Sequence, residues 1–173
     1  MKRLLAYSSL WIIATSAAIG TAAAAPAASL PRYSGAVERE LQSMGRHPSC
    51  ELEARERYHC SFEAATTSVG HAPAMHAVYS DQTDTVYLYA ERYLTLPSDH
   101  ARTPAVLRRL MELNWDLLAG KFEWNPRSGE VRLSAVLSTD SNFDRRAFRS
   151  LVHALEVTCA RYDRELRALS ANP

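Results

Sequence analysis

Six histidines are the first residues to consider for chemistry: His47, His59, His71, His76, His100 and His153. A metal site needs ligands that converge in tetrahedral or facial geometry. His71 and His76 are close in the chain, but at no recognised ligand spacing. His59 and Cys60 are adjacent on a strand-like segment and must point to opposite faces. No metal site and no cofactor are expected. No G-x-S-x-G elbow occurs for a nucleophilic serine. Asp140 and Asp144 resemble an acid/base pair, but Asp140 belongs to a connector and Asp144 stands where a helix begins. Glycine is scarce, at six residues, and none forms a phosphate-cradling loop. No catalytic residue is expected.

Three cysteines remain: Cys50, Cys60 and Cys159. Tyr58, Cys60 and Phe62 alternate with His59, Ser61 and Glu63, as on a strand. The segment Cys50-Glu51-Leu52-Glu53 is its candidate hairpin partner, turning near Arg55 and Glu56. In that hairpin Cys50 and Cys60 are equidistant from the turn, so a cross-strand disulfide is expected if the Cβ atoms approach. Cys159 falls on the apolar face of a helix and reads as a small core residue.

Candidate binding residues are aromatic: Trp115, Tyr87 and Tyr89. Trp115 departs from its helix's apolar stripe, beside Asn114 and Asp116. The size of its ring favours burial against a second layer; exposed, it would be an interface anchor. Tyr87 and Tyr89 alternate against Val86, Leu88 and Ala90. Their face is expected to be partly wet, because a phenol needs a polar partner.

The elements that position these residues follow from periodicity. Ser34 is the expected cap of a first helix through Val37, Leu41 and Met44, stopped by Gly45. Met75 to Tyr79 and Val86 to Ala90 form a hairpin around Asp81-Gln82-Thr83-Asp84. Thr103 is the expected cap of a second helix, with Pro104 in its first turn and an apolar stripe through Leu117 and Leu118 to Gly120. Lys121 to Trp124 and Glu130 to Leu137 make another hairpin around Asn125-Pro126-Arg127-Ser128-Gly129. A last helix starts at Asp144, with Phe143 and Phe148 set for a hydrophobic staple. Its stripe runs through Leu151, Val152, Leu155, Cys159, Tyr162, Leu166 and Leu169. Grouped strands with dispersed helices predict an α+β fold, an antiparallel sheet with helices on one face.

The N-terminus reads as an export signal. Lys2 and Arg3 precede an apolar run from Leu4 to Ile19 and then small residues, with a cut expected after Ala23 or Ala24. The expected organisation is a signal peptide over 1–24, a disordered linker over 25–33 and one domain over 34–170. Export to the periplasm or beyond follows, with no stable membrane anchor once the signal is removed. Without Lys2 and Arg3, the balance of 20 basic and 19 acidic residues tips to one net negative charge. That gives no reason to expect nucleic acid as a partner.

Leu113-Asn114 at a helix end, Gly120-Lys121-Phe122, Gly129-Glu130-Val131-Arg132-Leu133, then Phe148, Tyr162 and Leu166 resemble the YbjN family of bacterial sensory-transduction regulators. The resemblance is good from Thr103 to Leu169. It implies a fold like that of type III secretion chaperones, work through protein contacts, and a homodimer as a frequent assembly. It supplies no catalytic residues. The export signal and the Cys50/Cys60 pair depart from the family pattern. The expected function is therefore an exported, non-enzymatic protein-binding domain with an unidentified protein partner. The alternatives are a small periplasmic hydrolase and a structural envelope protein.

Overall fold

The computed structural model describes residues 29–53, 56–65 and 73–171. The expected signal peptide, His71 and the tip of the first hairpin at Arg55 lie outside them. The order is α1 (Ser34–Ser43), β1 (Ser49–Glu53), β2 (Arg57–Glu63), β3 (Ala74–Ser80), β4 (Thr85–Thr95), α2 (Thr103–Asp116), β5 (Lys121–Trp124), β6 (Glu130–Ser138) and α3 (Arg145–Ala171). The strands form one antiparallel sheet in the order β1-β2-β3-β4-β6-β5.

Side-chain alternation decides the two faces. Tyr58, Cys60 and Phe62 pair across the sheet with Tyr79, Ala77 and Met75, and these with Val86, Leu88 and Ala90. The row continues into Leu137, Ala135 and Leu133. All are buried. This face is covered by the apolar stripes of the helices, with α3 against β4 and β6, and α2 against α3 and β5. The opposite face carries Glu51, Glu53, His59, His76, Tyr87, Tyr89 and Arg132, and no described helix covers it.

Helix α3 begins as the sequence predicts. Asp144 Oδ1 accepts the Ala147 N–H at 2.9 Å, which closes the cap. Phe143 packs on Phe148 with ring centroids 5.3 Å apart, the staple. Tyr33 packs at a tilt against Phe143 and Tyr79, and Arg32 pairs with Asp84, so Arg32 and Tyr33, at the end of the stretch read as a linker, pack against the domain. Helix α1 stops at Gly45, φ +74°, where Gly45 N–H donates to Gln42 O and Arg46 N–H to Leu41 O. That is a Schellman ending, which a residue with Cβ resists.

Two expected caps are corrected. Ser34 is already helical, with Tyr33 in the cap position, and its hydroxyl turns back to Pro31 O at 2.7 Å. Thr103 is likewise inside α2, and its hydroxyl donates to Pro97 O at 2.6 Å. In both, the preceding tight turn offers a carbonyl acceptor, so the hydroxyl fastens the turn instead of the helix N–H groups.

The charged groups under the helices are paired. Glu156, almost wholly buried, accepts hydrogen bonds from Arg46 Nε and Nη2 at 3.0 and 2.8 Å and from the Ala65 N–H at 3.1 Å. This forked pairing ties α3 to the end of α1 and to the segment after β2. Tyr93 follows an irregularity in β4 that turns it inward, and its hydroxyl donates to Cys159 O at 2.9 Å. Burial pushes the Cys159 thiol up to about 12, helped by Asp163 and Glu156. Cys159 is thus a core residue with no thiolate chemistry near neutral pH.

Candidate functional site

Two surfaces stand out, one at the end of α2 beside the β5 edge and one on the uncovered sheet face. The first is built at the end of α2. The helix stops at Asp116, and Leu117 turns extended. Gly120 does not end it; that residue sits at the entry to β5 with φ +81°, and a Cβ there would lie 3.0 Å from Ser134 O and from Leu155 Cδ2. The early stop has a visible cause. The Asn114 amide accepts the Phe122 N–H at 2.7 Å and donates to Phe122 O at 3.0 Å. A side chain thereby fills the hydrogen bonds that a further strand would make with β5, and the helix end is fixed to the sheet edge.

What this arrangement leaves outside is apolar. Trp115 is 89% exposed, Met111 66%, and Leu118 fully exposed. The bulk of Trp115 favoured burial, and the structure corrects that: Val106, Leu110 and Leu113 fill the α2 core positions, and Trp115, two residues past Leu113, falls on the opposite side of the helix. Met111 and Trp115 are four residues apart on one helical face. Leu118 also leaves the stripe the sequence predicted for it. It lines a shallow recess with Lys121, Ser134, Val136 and Leu151.

The second surface is the uncovered sheet face. His59 Nδ1 lies 2.7 Å from Glu53 Oε1, and His59 Nε2 lies 2.8 Å from His76 Nδ1. The His76 ring stacks on Tyr89 at 4.7 Å, and Tyr89 on Tyr87 at 5.2 Å. Arg132 sits 4.9 Å over Tyr89. Tyr87 donates to Glu123 Oε2 at 2.6 Å. The ladder spans β1 to β5.

Its electrostatics follow from this packing. Burial, then the neighbouring His59, holds His76 below the usual imidazole range. Burial raises Tyr87, and its bond to Glu123 adds to that. Burial also raises Tyr89. Burial would raise the Glu123 carboxyl, but the Tyr87 and Lys121 hydrogen bonds outweigh it and hold Glu123 low. The expected half-wet tyrosine face is present, with the Tyr87 hydroxyl satisfied within the domain.

Trp115 is therefore not beside Tyr87 and Tyr89. The three predicted binding residues divide between the helix side and the open face. The predicted disulfide is formed: Cys50 and Cys60 are directly opposite, with Cα atoms 4.0 Å apart. His59, His76 and the carboxylates around them were missed as a group. The hairpin symmetry that pairs the cysteines also puts Glu51 opposite His59, and that was the available signal. No triad of nucleophile, base and orienting acid is seen among the described hydrogen bonds.

Comparison with known proteins agrees with this architecture. Residues 76–168 match the YbjN family, described as "Putative bacterial sensory transduction regulator". No curated protein sequence matches the chain. The fold is similar to a chain of the ExsC-ExsE complex, with TM-score 0.55 and 15% identity over 78% of this chain and 93% of that one. It is also similar to a chain of the HopA1-SchA chaperone-effector complex, with TM-score 0.50 and 11% identity over 77% and 93%. The fold is thus α+β of the type III secretion chaperone kind, as the sequence predicts.

Proposed function

The chain belongs to the YbjN family, and we propose that it is an exported, non-enzymatic domain that binds a protein partner through the exposed end of α2. One observation carries the proposal. Trp115, Met111 and Leu118 stand in solvent around the point where the Asn114 amide ties α2 to the Phe122 backbone. Large apolar side chains fixed outside a folded domain are the usual anchors of protein interfaces, and tryptophan is prominent among them. The neighbouring recess beside Leu118 offers a concave acceptor for a partner's apolar side chain. The similar folds come from a complex with ExsE and from a chaperone-effector complex, which supports a binding role without naming a partner here.

Export rests on the basic, apolar and small-residue order of the first two dozen residues. A disulfide between Cys50 and Cys60 suits an oxidising compartment and supports the same reading. No described helix is long and apolar enough to cross a membrane. The test is site-specific photocrosslinking from position 115 in the exporting cell. A discrete adduct, lost when Met111 and Leu118 are changed to serine in a folded protein, supports the proposal. An adduct of chain with chain would identify the partner as a second copy. Absence of any specific adduct contradicts it.

A further inference from the structure

We propose that the outer face of α3 docks on an anionic lipid surface, through a row of arginines that the fold leaves without carboxylate partners. Helix α3 carries six arginines and three carboxylates, Glu156, Asp163 and Glu165, so its sequence has the look of a mixed-charge face. The structure separates the two signs. Glu156 and Asp163 are buried, Glu156 with Arg46 and Asp163 accepting from Arg167 Nε at 2.7 Å. Glu165 is taken by Arg109 of α2, at 2.5 Å. Arg145 and Arg149 share one buried carboxylate, Glu40. Arg146, Arg161 and Arg164 are exposed, and no carboxylate among the described residues pairs with them.

These arginines share one side of the helix, away from Phe148, Val152, Leu155, Cys159 and Leu166 in the core. Arg146 and Arg164 are about five turns apart, roughly 27 Å along the axis, so they project the same way. His153 and Val157 are exposed between them at helical spacing. A helix that only faces water is stabilised when acids stand three or four residues from bases. Here Arg146 has Arg149 at that distance, and Arg161 has Arg164. Such like-charged neighbours disfavour the helix unless anions stand opposite.

A lipid surface is the occupant this row fits. Guanidinium groups bind phosphate oxygens in pairs. Headgroups move laterally and can gather under a long straight row, whereas an acidic protein must present its carboxylates in matching register. At one end of the row, a recess lined by Arg145, Arg146, Arg149 and Ser150 can take a headgroup phosphate. The apolar stripe of α3 is in the core, so the helix does not insert, and binding is electrostatic and reversible. The near balance of 20 basic and 19 acidic residues conceals the row. Trp115 takes no part in it, so this docking stands apart from the protein-binding reading.

The test is co-sedimentation of the full chain with vesicles of phosphatidylglycerol in phosphatidylcholine, and with phosphatidylcholine alone, at low salt. Stronger partition onto the anionic vesicles is expected, falling steeply as salt is raised. The phosphatidylcholine arm measures any pull from the apolar run Leu4 to Ile19. Arg146→Gln/Arg164→Gln should lower partition by roughly twentyfold, at about fivefold for each arginine near the surface. Arg161→Gln alone should lower it about fivefold. Arg57→Gln/Arg127→Gln removes the same charge as the first pair outside α3, and should change partition less than about threefold. All these side chains are exposed, and circular dichroism checks that each variant is folded. Equal partition onto the two kinds of vesicle would overturn the proposal. So would wild-type partition in folded Arg146→Gln/Arg164→Gln and Arg161→Gln proteins. Tighter binding to polyglutamate or to duplex DNA, at equal anionic charge, would overturn lipid as the occupant.

Discussion

The side-chain amide of Asn114 pairs with both backbone groups of Phe122, accepting at 2.7 Å and donating at 3.0 Å. One side chain thus ends helix α2, shields the edge strand β5 and fixes where Trp115 stands. Each bond made to partly buried backbone is worth about 1 kcal/mol net, and more if its loss strands a buried group. Asn114→Ala should therefore destabilise the domain by roughly 1–3 kcal/mol. Urea unfolding followed by circular dichroism checks this. A stability unchanged from wild type would show that water replaces the amide at no cost.

Gly120 tests the same junction from the other side. Its φ of +81° and the 3.0 Å approach of a Cβ to Ser134 O leave no room for a side chain. Gly120→Ala should cost on the order of 1–3 kcal/mol, the range for a strained left-handed residue. Thermal unfolding of the variant is the measurement. An unchanged midpoint would mean that the β5 entry relaxes freely.

The disulfide makes a separate prediction. Cys50 and Cys60 are ten residues apart. Closing so short a loop limits the unfolded chain by on the order of 2–3 kcal/mol. The Cys50→Ser/Cys60→Ser double variant should lose about that much, measured by denaturant unfolding under oxidising conditions. Non-reducing peptide mapping of protein from the envelope should find the two residues linked and Cys159 free.

The parts readable from the sequence were those set by local rules. The α3 start needed only Asp144, Phe143 and Phe148, all within six residues. The cysteine pair followed from hairpin symmetry about Arg55 and Glu56. The end of α2 was not readable, because the helical stripe continues in sequence through Leu117 and Leu118. The helix stops where Asn114 finds a backbone partner eight residues later, which is a tertiary contact. The His59–His76 contact was hidden for a similar reason. The residues are 17 apart, and only the β2–β3 register, with Ser61 opposite His76, makes them diagonal neighbours.

Acid stability should depend on Glu40. This buried carboxylate of α1 meets Arg145 and Arg149 of α3, with Arg149 Nε at 2.6 Å. Burial alone would raise its pKa, but the hydrogen bonds from Arg149 and Arg145 prevail and lower it. A carboxyl with a depressed folded-state pKa adds stability that is fully present above its unfolded value, about 4.5. That stability is lost as the pH falls through the folded value. Glu40→Gln should therefore reduce stability at neutral pH and flatten its decline below about pH 4.5. Unfolding free energies measured from pH 3 to 7 check the slope. A variant curve parallel to wild type would contradict the assignment.

The central claim is that the α2 end binds protein through a fixed apolar anchor. The most direct measurement is crosslinking from position 115 compared between wild type and Asn114→Ala, each shown to be folded. A discrete adduct is expected with Asn114 intact, and it should weaken when the tie is cut, because the side chain at position 115 loses its fixed position. It also predicts that Trp115→Ala costs a purified, crosslink-identified partner roughly tenfold or more in affinity, the effect expected of an anchor residue. Wild-type affinity in folded Trp115→Ala protein would contradict it.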